Sequence, residues 1–461
     1  MMMRLRKIAF ALSAAGAAGI TVLACAEARA GDVEWGSTRT VAERDASNPT
    51  TAVDPRSGAA FAAWVETTGG VSNVFVARLA EDDAAPARAR ANDRPGDAAP
   101  HEQAPAQVAV GPEGNVYVLW QNSTEIPGRR FPASDLRFAR STDGGRTFGP
   151  AVTVNDDAGG TPSSHTFHDV VVAKDGTVWV SWLDSRVRDA ERARRNPRPA
   201  SPHATPKDHG GAMQAHDSAM RAHGAAMDHG AMKGHGGGIK EDADLPGGEI
   251  RAARSTDGGK TFGPSLVVDG DVCPCCRTSL AAGPDGSLYV AWRKVFEGDV
   301  RDVVLSRLAP GASAWSRPAR VHADGWVFPG CPHAGPSVAI DDRGRVHVGW
   351  YTGKEGRQGL WYVASDDGGR TFGQPAALLT AEWVPPSTVA LAAEGGRVWA
   401  AWDDRRAKPG TVRVAVLDGG APRVVGRVDA ARSPALAAGP RAALVAWHDG
   451  QSVRARTVAP R

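Results

Sequence analysis

Beyond residue 24 the chain has no apolar run long enough to cross a bilayer, so only its first residues are candidates for membrane attachment. Net charge is also small. With 54 Lys and Arg against 51 Asp and Glu, the formal balance is +3, which supplies neither the basic excess that nucleic acid selects nor a cationic face for lipid. Tyrosine is scarce, with Tyr117, Tyr289, Tyr351 and Tyr362 the whole set, which leaves few candidates for chemistry that needs a phenolate. Cysteine is nearly as scarce. Five are present, and the four beyond Cys25 allow at most two disulfides. Methionine is missing from most of the chain: after Met1, Met2 and Met3 it occurs only at Met213, Met220, Met227 and Met232.

Against these scarcities stand glycine, 54 residues, and tryptophan, 14, and both recur at regular intervals. The repeating unit is a strand, a Gly-centred turn and a strand ending in Trp, as in AVGPEGNVYVLW, VVAKDGTVWVSW and AAGPDGSLYVAW. Apolar residues alternate on both sides of a turn rich in Gly, Pro and Asp, the pattern of a hairpin with one buried face. The closing residues are Trp64, Trp120, Trp182, Trp292, Trp350, Trp402 and Trp447, which makes seven units. A third and a fourth apolar stretch follow each hairpin. Four short strands per repeat predict an all-β chain folded as a seven-bladed β-propeller of four-stranded antiparallel blades, with six blades as the alternative. The seventh unit is one strand short, and VEWGSTRTVA is a spare strand near the other end; pairing the two would close the ring and cover a sheet edge.

Between the third and fourth strands lie STDGGRTF (141–148), STDGGKTF (255–262) and SDDGGRTF (365–372). These octapeptides resemble Asp-boxes, the BNR repeats of the sialidase-like propellers. The resemblance spans almost the whole chain and implies the fold, with the boxes on the rim away from any site. It also raises a function: sialidases are six-bladed glycosidases that use an arginine triad, a Tyr nucleophile assisted by Glu, and an Asp acid/base. This chain departs from that pattern. It has no N-terminal Arg-Ile-Pro motif, Tyr117 and Tyr289 alternate within hairpin strands, and only Tyr351 and Tyr362 remain as nucleophile candidates, with Arg186 and Arg405 as anion-binding candidates. A non-sialidase member is the reading that results, with an exo-α-sialidase-like hydrolase as its rival.

Residues 1–30 read as a signal peptide: Arg4, Arg6 and Lys7 precede an apolar run from Ile8 to Ala24. Val22-Leu23-Ala24-Cys25 resembles a lipobox that would lipidate Cys25, while Ala28-Arg29-Ala30 would suit ordinary cleavage. Both routes lead to the periplasm or cell envelope of a bacterium, and leave residues 31–461 as the propeller.

The remaining cysteines lie in DVCPCCRTS and GCPHAGPS, each just before the first strand of a blade. Thirteen positions before Gly114, Gly286 and Gly344 stand His101, Cys273 and Cys331; eleven before Gly176, Gly286 and Gly344 stand His165, Cys275 and His333. In a propeller the loops leading into first strands ring the mouth of the channel, so this register gathers His101, His165, His168, Cys273, Cys275, Cys276, Cys331 and His333 on one face, with Glu102 beside them. Thiolate and imidazole select copper, with zinc as the alternative, over hard cations. Two disulfides would be the competing use of four exported cysteines, although they leave the histidines unexplained.

Residues 187–248 interrupt the third blade. The stretch holds His203, His209, His216, His223, His229 and His235 with all four internal methionines, and His209 and Met213, His216 and Met220, His223 and Met227 are each four residues apart. Its Gly, Ala and polar content forms no core, which predicts disorder. Imidazole with thioether suits Cu(I) or Ag(I). Together the loop, with His229, Met232 and His235, and the cysteine face point to an exported copper-binding propeller for metal sequestration or transfer. Its partners would be metal ions and another envelope metal-handling protein. A copper redox protein is the third reading.

Overall fold

The computed structural model describes residues 26–27, 33–43, 45–79, 86–127, 129, 131–195, 245, 247–417 and 421–461. Seven sheets, antiparallel except where the two-residue strand Ala26–Glu27 runs parallel to Arg423–Asp429, form a closed ring, the first blade strand of each beside that of the next and that of the seventh beside that of the first. Their hairpins are the predicted ones. Gly114, Gly176, Gly286 and Gly344 sit in the first turns at φ 79 to 83°, a left-handed conformation that a side chain would strain. All seven closing tryptophans are buried at 3% exposure or less, each wedged into the apolar layers between blades.

Four of the blades position the features that matter below. The second comprises Gln107–Val110, Val116–Gln121, Leu136–Ser141 and Val152–Thr153; the third His165–Val172, Val178–Asp184, Gly248–Ser255 and Leu266–Val272. The fourth comprises Ser279–Ala282, Leu288–Arg293, Val303–Leu308 and Ala319–Arg320; the fifth Ser337–Ile340, Val346–Thr352, Gly359–Ser365 and Ala376–Thr380. The seventh takes its missing strand from the other end of the chain. Val33–Trp35 runs antiparallel to Val453–Pro460, and Arg39–Ala42 pairs with the same strand, so the spare segment closes the ring as expected.

The three octapeptides form one turn. Asp143 accepts backbone N–H groups from Arg146 and Thr147 at 3.0 Å and the Thr147 hydroxyl at 2.6 Å, while Ser141 Oγ accepts from Gly145 N at 2.9 Å. Asp257 and Asp367 repeat the pattern. A side chain on Gly259 would meet Phe138 at 2.5 Å and one on Gly369 would meet Leu305 at the same distance, so each turn lies against the blade before it.

One segment differs from expectation. The interruption of the third blade begins with a helix, Arg186–Arg195, rather than in irregular chain. Ser185 Oγ bonds Asp189 at its first turn, and Glu191 pairs with Arg194 and Arg195 three and four residues on, which favours helix locally.

Candidate metal centre

The loop leading from Leu266–Val272 into Ser279–Ala282 carries Cys273, Cys275 and Cys276, exposed only 1%, 5% and 2%. Cys273 Sγ lies 3.6 Å from Cys275 Sγ and 3.4 Å from Cys276 Sγ, and all three sulfurs fall within 4.8 Å of one another. Metal–sulfur bonds of about 2.3 Å put the sulfurs of a trigonal or tetrahedral site roughly 3.8 to 4.0 Å apart, so small shifts would seat one soft ion among them. All four described cysteines are free thiols.

Two arginines organise the surroundings. Arg293, at the end of Leu288–Arg293, is 1% exposed, and its guanidinium donates to the carbonyls of Ala334 (2.8 Å), Tyr351 (2.8 Å) and Arg301 (2.6 Å). Arg301 donates to Cys273 Sγ at 3.5 Å and to the Phe328 carbonyl at 3.1 Å. Between those two anchored carbonyls, Phe328 and Ala334, runs the loop leading into the fifth blade, and Cys331 sits on it. Gly335 completes the contact, since a Cβ there would meet the Arg277 carbonyl at 2.5 Å. The loops of the fourth and fifth blades are therefore clamped together.

The thiols divide by charge preference. Hydrogen bonds from Cys275 and Cys276, helped by Arg301 and Arg293, hold Cys273 well below the ordinary thiol range. Burial pushes Cys275 and Cys276 well above it. Cys331 is exposed, and its bond with Cys275, with Arg301 and Arg188 behind it, lowers its pKa. Arg188 belongs to the helix Arg186–Arg195, so the base of the long insertion stands within electrostatic reach of Cys331.

The other expected ligands stand outside the trio. Among the described residues, none of Cys331, His333, His101, His165 and His168 joins the buried trio within 4.8 Å. Equivalent register in the repeat did not bring them to one point. His101 packs edge-on against Phe167, and its Nδ1 accepts from Gln103 N at 3.1 Å. His168 is 1% exposed, and burial, then the charge of His101, push its pKa down to about 3. His333 is half-buried at φ 50°. His165 belongs to another group altogether: its Nε2 lies 3.0 Å from Asp157 and 3.5 Å from Asp184, and its Nδ1 2.6 Å from the Ser134 carbonyl. His203, His209, Met213, His216, Met220, His223, Met227, His229, Met232 and His235 lie outside the described residues. Arg293 and Arg301 were not expected, since an arginine at a strand end carries no sequence signal of its partners.

The glycosidase candidates are occupied. Tyr351 donates to the Val384 carbonyl at 2.9 Å and Tyr362 bonds His347 at 2.7 Å; burial raises both to about 12. Tyr117 and Tyr289 are 3% and 2% exposed. Arg186 pairs with Asp156 and Asp184, and Arg405 pairs with Asp403 and Glu102.

No protein-family model matches the chain, and no curated protein does. Solved structures do. An ulvan lyase from a new polysaccharide lyase family is 11% identical, with 90% of this chain and 94% of that one covered at a TM-score of 0.51. A protein of unknown function from Dyadobacter fermentans is 15% identical (94% and 100% covered, TM-score 0.47), and a Hadza microbial sialidase 13% identical (84% and 73% covered, TM-score 0.46). At 11% identity the likeness to the ulvan lyase is one of fold alone.

Proposed function

We propose that this chain is a sialidase-like propeller turned to copper handling in the bacterial cell envelope, exported by residues 1–30, with Cys273, Cys275 and Cys276 as its Cu(I) centre. The observation that carries the reading is the buried triangle of thiols with two buried guanidinium groups beside it. Three thiolates and one Cu(I) sum to a charge of −2, which Arg293 and Arg301 offset, so the bound state need not leave net charge in the interior. Among the described residues Cys331 belongs to no such triple, which favours three-coordinate Cu(I) over zinc, whose structural sites close with four ligands. The His- and Met-rich segment 203–235 would gather further Cu(I) ions above this centre, and an envelope metal-handling protein would be the partner.

A glycosidase reading finds less support, because all four tyrosines are buried. The test is anaerobic titration of the exported protein with Cu(I) against a chromogenic chelator. One tight ion lost in Cys276→Ser, and several weaker ions lost on deleting residues 203–235, is the expected result. Equal copper uptake by the parent and Cys276→Ser would overturn the centre.

A further inference from the structure

Cys331 differs from the three thiols beside it in almost every respect that matters for ligand exchange. It is exposed where they are buried, and it sits on a different blade. It is nonetheless held in place. The carbonyl three residues before it is bound by Arg301, which also touches Cys273, and the carbonyl three residues after it is bound by Arg293. Gly335 brings its loop against the backbone of Arg277, next to Cys276. Of the trio, Cys275 is the thiol it engages. A surface thiol fixed by two buried cations at the edge of a closed thiol site is badly placed as a permanent ligand and well placed as a way in.

We propose that Cys331 is the exchange ligand of the centre, the thiolate at which Cu(I) passes between a thiolate-bearing donor and the buried trio. The inference rests on the reading of the trio as a Cu(I) site and names how that site is reached. In the first step a Cu–S(Cys331) bond forms while one Cu–S bond to the donor breaks, the Cys331 proton passing through solvent to the departing donor thiolate. In the second, Cys275 gives up its proton to solvent as its sulfur binds copper, and the last donor bond breaks. Cys276 and Cys273 then bind with loss of their thiol protons to solvent, and the bond to Cys331 breaks as that sulfur takes a proton back. Copper remains Cu(I) throughout, so no oxidant or reductant is involved. The arginines beside Cys331 also suit an anionic donor, whose negative charge they would draw to this edge.

The experiment compares the parent with Cys331→Ser, using Cu(I)–glutathione as donor and a bathocuproine chelator as acceptor, both anaerobic. Cys331→Ser should keep its equilibrium affinity within about threefold while loading and withdrawal both slow by at least about tenfold. Cys331→Met, whose thioether also binds Cu(I), should recover part of the rate. Unchanged rates would overturn the proposal. So would a fall in affinity of more than about tenfold, which would make Cys331 a standing fourth ligand. Failure of the underlying reading looks different: the parent itself, or Cys276→Ser, would then show no thiol-dependent copper uptake to time.

Discussion

Among the described residues two places bring three donor atoms within 4.8 Å of one another, and they differ in what already lies among the donors. In the first, Asp157 and Asp184 hold His165 and share Arg186, whose guanidinium lies 3.4 Å from Asp157 and 2.8 Å from Asp184 while also binding Asp156 at 2.6 Å. The protein has supplied its own cation there, and both nitrogens of His165 are engaged. In the second, Cys273, Cys275 and Cys276 face one another, and the guanidiniums stand outside, directed mainly at loop carbonyls. Proximity of donors is common to both. What separates them is whether a side chain already occupies the charge the donors converge on.

The comparison breaks most decisively if substitutions in the two groups behave alike. Cys276→Ser should lower Cu(I) affinity by at least about three orders of magnitude, roughly 4 kcal/mol, measured by chelator competition. Asp184→Asn should leave that affinity unchanged. It should instead destabilise the fold by about 3 to 5 kcal/mol in denaturant titration, because Arg186 and His165 lose a fully buried carboxylate. Copper loss in Asp184→Asn without loss of stability would mean the groups are one site.

The next test moves the cation. Arg186→Ala should open a space where the guanidinium stood, and Zn²⁺ should then raise the stability of the variant by about 1 to 3 kcal/mol while leaving the parent unaffected. Thermal melts with and without zinc read this directly. A variant indifferent to zinc would show that the carboxylate group lacks metal geometry even when empty.

At the thiol group the guanidiniums act indirectly. Arg301→Met should raise the Cys273 pKa and weaken Cu(I) binding by about tenfold, which corresponds to about 1.4 kcal/mol. The pH dependence has a definite sign. Burial holds Cys275 and Cys276 above the ordinary thiol range, so each must release a proton to bind, while its neighbours hold Cys273 below it. Affinity should therefore climb by up to about two decades per pH unit through the neutral range. A flat profile would mean the trio is not the ligand set.

The fold could be read from the chain because each blade repeats its own instructions. Trp-terminated hairpins, turn glycines and three octapeptides report local structure, and the spare strand at 33–42 follows from a simple deficit at the seventh blade. The centre was legible only in part. Cys273, Cys275 and Cys276 lie within four residues, so their gathering was nearly local, and the register of Cys331 correctly put it on the next blade's loop. Register gives a position around the ring and no depth, which is why Cys331 emerged exposed and the histidines dispersed. His165 was drawn away by Asp157 and Asp184, carboxylates whose facing directions nothing in the local sequence announces. Arg293 and Arg301 were missed for a similar reason, since each reaches carbonyls brought close only by the ring.

The smallest expected effect concerns the rim, where the contrast between self-contained and open groups appears in a third form. Asp143, Asp257 and Asp367 are held well below the usual carboxylate range, chiefly by the hydroxyls of Thr147, Thr261 and Thr371. Both oxygens of each carboxylate accept hydrogen bonds from within the turn, as Asp184 is held by Arg186 two residues on. Because the folded-state pKa is depressed, this stabilisation is present above about pH 4, the unfolded value, and is lost as pH falls toward the folded one. Asp367→Asn should remove about 1 kcal/mol at pH 7, with the difference from the parent narrowing below pH 4, and should leave Cu(I) affinity untouched. Denaturant titrations at pH 7 and pH 3 check this. A deficit of the same size at both would mean that the turn depends on the shape of the side chain rather than its charge.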